Sequence, residues 1–114
     1  MTALEVTKKY FELSNNRRLD EVFVLFAEDA TYSSDNTGLY FGVSEIRQMM
    51  TGFFNSFPEL FWEATTIEEV KPNIVEVSFT LKSTDKTGKQ ASTSGIERVV
   101  VVNDKIRHIE VRNV

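Results

Sequence analysis

At 114 residues the chain has room for one domain built on one core, so residues 1–114 are read as a single domain. The formal net charge of −4, with acidic residues spread along the chain and no concentrated Lys/Arg patch, argues against a nucleic-acid partner. The absence of cysteine excludes disulfides, a thiolate nucleophile and a Cys-ligated metal. Residues 1–6 do not lead from a basic segment into an apolar run, and no apolar run approaches the ~18 residues of a membrane span. A cytoplasmic protein with no membrane partner is the expectation.

The first half has helical spacing. Val6, Tyr10 and Leu13 recur along one face, with Lys8, Lys9 and Glu12 turned outward, and the polar stretch after Leu13 ends that helix. Asp20 is the expected cap of a second short helix carrying Val22, Phe23, Leu25 and Phe26. Residues 30–33 (ATYS) can form a short strand, and the small polar residues 34–38 (SDNTG) a turn. Ser44 is the expected cap of a third helix, in which Ile46, Met49, Met50, Phe53 and Phe54 make an apolar stripe.

After Leu60 the period becomes two. Residues 60–70 form a strand, KPN at 71–73 a turn, and Val75, Val77, Phe79 and Leu81 alternate with polar neighbours. DKTG at 85–88 turns the chain into a strand reaching the valine run 99–102. Asn103-Asp104 then turns tightly into a last strand, residues 106–114. Three helices followed by a meander predict an α+β fold, with the helices on one face of a mostly antiparallel sheet.

Four segments carry a family resemblance: LDEVFVLFAEDATY at 19–32, GVSEIR at 42–47, GIERV at 95–99 and NDKI at 103–106. Together they resemble the NTF2-like superfamily in its SnoaL-like branch. The resemblance implies a cone, in which three N-terminal helices pack on a strongly curved sheet. It also implies a pocket for a small apolar or aromatic molecule and a homodimer through the sheet. In the last hairpin Asp104 occupies the place where the family usually has glycine. A fold of this breadth hosts many chemistries, so function has to be argued from the site.

On the same resemblance, Tyr10 is similar to the tyrosine by which ketosteroid isomerases donate a hydrogen bond to a developing enolate oxygen. The position of their carboxylate base holds Ser34, followed at once by Asp35. Their second oxyanion donor falls in the 97–99 region, where Glu97 is the one carboxyl. His108 is the only histidine, the residue type best suited to acid–base work near neutral pH. Opposite Asp35 or Tyr10 it would make a dehydratase-like pair. If the last strand alternates regularly, His108 shares a face with Ile106, Glu110 and Arg112.

Tyr32, Tyr40, Phe53, Trp62 and Glu97 are the candidate ligand contacts. The expected function is small-hydrophobic-ligand binding, extending to a cofactorless isomerase or lyase that uses Tyr10 with Asp35 or His108. No metal or cofactor is expected. The alternative is a non-enzymatic dimeric association module whose cone is filled by side chains.

Overall fold

A computed structural model describes residues 1–114. Helix α1 (Ala3–Asn15) starts at a complete capping box: the Thr2 side chain accepts from the Glu5 amide, and the Glu5 carboxylate accepts from the Thr2 amide. Its apolar stripe buries Val6, Tyr10 and Leu13. Helix α2 (Leu19–Val24) is a short second turn of chain that buries Val22 and Phe23.

Strand β1 (Phe26–Ser34) and strand β2 (Gly38–Phe41) form a hairpin, and helix α3 (Val43–Ser56) follows. Four long strands complete the chain: β3 (Glu59–Lys71), β4 (Ile74–Thr84), β5 (Gln90–Val102) and β6 (Lys105–Asn113). They make one six-stranded sheet in the order β2-β1-β6-β5-β4-β3. Every pairing is antiparallel except β1 with β6. Register shifts between Ala64 and Thr66, and again between Val100 and Val101, interrupt the ladders, and such bulges bend and twist strands. The bent sheet wraps around the helices. No helix is long and apolar enough to cross a membrane.

The expected helices are present, with different caps. Neither Ser44 nor Asp20 caps its helix by a side-chain hydrogen bond: α3 starts from Gly42 at φ 88°, and α2 from Arg18. Glu45 instead reaches back to accept from the Phe41 amide at 2.9 Å, and Asp20 lies in the first turn, where its charge suits the helix dipole. The expected short strand at 30–33 is the end of a longer one. Phe26 belongs to β1 because the Ile106 amide donates to Leu25 O at 2.8 Å and ties the α2 exit to β6. Strand β2, absent from the sequence reading, is the return limb of that hairpin.

In β5 the alternation turns Gly95, Glu97, Val99 and Val101 toward the helices. Glu97 is thereby carried into the concave face along with the valines. In β6, Ile106, Ile109 and Val111 are buried. The register shift opposite Arg107 breaks strict alternation, so His108 does not share a face with Ile106. At Gly95 the chain needs a residue without a side chain. A Cβ there would lie 2.6 Å from Phe79 Cζ, on the ring of its cross-strand partner, and 2.9 Å from Arg112 O.

Candidate functional site

Between the helices and the concave face lies a cavity of about 80 Å³. Helix α1 contributes Tyr10, Phe11 and Ser14; α3 contributes Met49, Met50, Phe53 and Phe54. The sheet adds Trp62, Phe79, Leu81, Glu97 and Val111, with Tyr32 and Ser34 from β1. Asn36, Thr37, Thr93, Ser94 and Asn113 are exposed and mark the mouth. Aromatic rings dominate the interior. Phe54 stacks on Trp62 at a centroid distance of 5.7 Å, Phe53 lies 6.4 Å from the same indole, and Tyr10 meets Phe11 edge-on at 5.3 Å.

Two polar clamps hold this wall. The Asn15 amide donates to Trp62 O at 2.9 Å and its oxygen accepts from the Trp62 amide at 2.8 Å, so α1 acts as one rung of pairing for the edge strand β3. Arg17, at φ 57°, donates to Phe54 O and Phe57 O and lays its guanidinium 5.1 Å above the Phe54 ring. The carbonyls at the end of α3 are satisfied by that contact, which also fixes the position of Phe54.

The polar centre of the cavity is Glu97. Its residue is 2% exposed, and Oε1 has no hydrogen-bond partner. Removal from water pushes the carboxyl up to about 8, and the neighbouring Tyr10 hydroxyl, by hydrogen bonding to the charged form, opposes part of that rise. Tyr10 is in turn raised well above the ordinary phenol range, first by its own burial and then by the negative charge of Glu97. Tyr32, only partly buried as a residue, has a desolvated hydroxyl that is raised by the same two causes. These three are the ionisable groups of the lining; it includes no Lys, Arg or His. One carboxyl without an imidazole falls short of the three or four donors a tight metal site uses.

Of the residues singled out from sequence, Tyr10, Tyr32, Phe53, Trp62 and Glu97 line the cavity together. Asp35, His108 and Tyr40 do not. Asp35 is exposed and closes the β1 end of the sheet: its carboxylate accepts from the Asn113 amide at 3.0 Å and its amide donates to Val111 O. His108 sits on the opposite, outer face, where Nδ1 lies 2.7 Å from Thr31 Oγ1 in a hydrogen bond whose direction follows the ring tautomer. Tyr40 donates to Thr37 O and packs 6.3 Å from Tyr32. Phe23 of α2 lies under the Arg47 guanidinium and away from the lining. Sequence reading left out Ser14, Phe79 and the mouth residues. Phe79 was within reach, because its alternation with Val75 and Val77 turns it inward.

Residues 7–109 match the model of the SnoaL-like domain. Among solved structures, an NTF2-like protein of unknown function from Burkholderia pseudomallei superposes with a TM-score of 0.88 at 16% identity, over 100% of this chain and 92% of the other. TerC co-crystallized with polyporic acid gives a TM-score of 0.86 at 13% identity, covering 98% and 91%. A protein of ketosteroid isomerase-like fold from Catenulispora acidiphila, in complex with trimethylamine, gives 0.84 at 13% identity, covering 94% and 83%. A search of curated proteins finds no match by sequence. At these identities the structural likeness establishes the fold.

The raised Glu97 carboxyl sets a sign for stability against pH. The native state keeps its proton up to about pH 8, whereas the unfolded chain releases it near the ordinary value of 4.5, so the native state binds more protons between those limits. The stability this group contributes is full below about pH 4.5 and falls as pH rises, by up to about 1.4 kcal/mol per unit, levelling off above about 8. Urea denaturation of the parent and of Glu97→Gln across this range should give curves that converge at low pH, with the parent losing stability relative to the variant as pH rises. Parallel curves would contradict the assignment.

Proposed function

We propose that this chain, which belongs to the SnoaL-like domain family, binds a small, largely apolar molecule in the cavity, with the Glu97–Tyr10 pair meeting its polar group. The observation that carries the reading is that Glu97, which lines an aromatic-walled space, is buried with its Oε1 unpartnered. Buried polar atoms are nearly always hydrogen-bonded, and leaving one without a partner costs about 1–3 kcal/mol. A ligand that supplies the partner offsets this cost while covering apolar wall at roughly 25 cal/mol per Å². The small organic molecules held by TerC and by the Catenulispora protein add support for such a role. An association module would sooner fill its cone with side chains, and the open space beside Glu97 favours the ligand reading.

A second reading, a cofactorless isomerase or lyase, is favoured by the nearly neutral titration of Glu97 beside a phenol. In it, ionised Glu97 removes a proton from a carbon next to a carbonyl, and Tyr10 donates to the oxygen that gains charge. An isomerase then returns the same proton at a second carbon, while a lyase uses it to protonate the leaving oxygen. This reading assigns its steps to Glu97 and Tyr10 and none to Asp35 or His108, which do not line the cavity.

The expected homodimer belongs to the same proposal and would join the outer faces of the sheet. Light scattering behind size-exclusion chromatography would refute it by returning the mass of one chain at high concentration.

A screen of small aromatic compounds followed by amide shift changes tests the cavity itself. Binding should move the resonances of Tyr10, Trp62 and Phe79, and Ser14→Leu, which puts a larger side chain into the lining, should weaken it at least about tenfold. Shifts confined to the outer sheet face, or equal binding by Ser14→Leu, would overturn the reading.

A further inference from the structure

The cavity lining is electrically one-sided. Its ionisable members are Glu97 on β5, Tyr10 on α1 and Tyr32 on β1, all of them acids. The neighbours of Glu97 on the flanking strands, Val77 and Val111, carry no charge. Neither α3 nor β3 brings an ionisable side chain into the lining, and the mouth residues are hydroxyls and amides. No cation of the chain is therefore placed to pair with the Glu97 carboxylate.

The walls add to this bias. Aromatic faces carry negative electrostatic potential, and a cation within about 6 Å of a ring centroid is attracted by about 0.5–2 kcal/mol. Trp62, the strongest ring of this kind, lies 6.4 Å from Phe53, and both line the same cavity as Glu97. An anionic ligand would meet an acid already reluctant to ionise, with no compensating positive group. A neutral acceptor would use the acid's proton and gain nothing from the aromatic potential. A cation with an apolar body uses both the carboxylate and the rings.

We propose that the cavity is a site for a small organic amine, bound as its ammonium ion, with Glu97 as the counter-ion and the Trp62 and Phe53 rings as its aromatic wall. The proposal rests on the ligand-binding reading above and names the chemical class of the ligand. Binding proceeds with loss of the Glu97 proton: the ammonium enters from water carrying its charge, and the carboxyl gives its proton to the solvent. At pH 7 a carboxyl titrating at about 8 is about nine-tenths protonated, so close to one proton should leave per ligand bound.

The test compares two probes of one shape, benzylamine and benzyl alcohol, by calorimetry on the full chain at pH 7 in two buffers of different ionisation heat. The amine should bind at least about tenfold more tightly and release about 0.9 proton, whereas the alcohol should release none. Glu97→Gln keeps the shape of the side chain and should remove both the preference and the proton release. Trp62→Leu should weaken the amine more than the alcohol, by about three- to tenfold. Circular dichroism checks that each variant is folded. If the alcohol binds as well as the amine, or no proton is released, the amine class is overturned while the ligand-binding reading stands. If neither probe binds and the aromatic screen above is also blank, both fall.

Discussion

The organising constraint of this molecule is a carboxyl on the inner face of a sheet, enclosed by apolar side chains and given no cation of its own. An ionised carboxylate in such a place is costly, and proteins meet that cost by pairing the charge, hydrogen-bonding it or keeping its proton. Here the neighbouring Tyr10 hydroxyl favours the charged form in part, the proton is retained to about pH 8, and one oxygen is left without a partner. A valine at position 97 would continue the Val99–Val101 pattern and fill the same face without that penalty. The carboxyl is a local departure from what stability alone would select, and such departures mark functional sites.

The surrounding architecture keeps that carboxyl at the wall of the cavity. Gly95, two residues before Glu97 on the same face, leaves room for the Phe79 ring to lie across β5, and Phe79 becomes cavity wall. Asn15 holds the edge strand at Trp62, and Arg17 holds the end of α3 at Phe54. These contacts join α1 and its C-terminal turn to both aromatic walls. Movement of α1 would therefore disturb the surroundings of Tyr10, Trp62 and Phe54 together.

Much of the fold was legible in the sequence because its signals are local. The stripes of α1 and α3 repeat at helical spacing, and the Asn103-Asp104 turn has both residues at positive φ, as a tight two-residue hairpin turn requires. The match to the SnoaL-like domain runs over residues 7–109, and the altered turn still forms with Asp104 at φ 65°. What escaped depended on contacts distant in sequence. Strand β1 claims Phe26 through its pairing with β6, eighty residues away in Ile106. Strand β2 is a four-residue limb with no alternation of its own. The register shift opposite Arg107 could not be seen from β6 alone, and it decides which residues share a face with His108.

The site divides along the same line. Tyr10 was legible from the α1 stripe, whereas Glu97 was reached through the family resemblance alone, because the valine run 99–102 is apolar at both parities and does not say which face of β5 turns inward. The Asp35 side chain is occupied as a cap for the sheet end, a role that depends on Asn113 being adjacent in space. The central claim concerns one proton. Carbon-13 NMR of the Glu97 side-chain carboxyl, followed through a pH titration of the intact protein, reads it directly. The account predicts a midpoint at about 8, moved from the ordinary 4.5 by burial. A midpoint in the ordinary carboxylate range would mean that Glu97 is solvated, and would contradict the account.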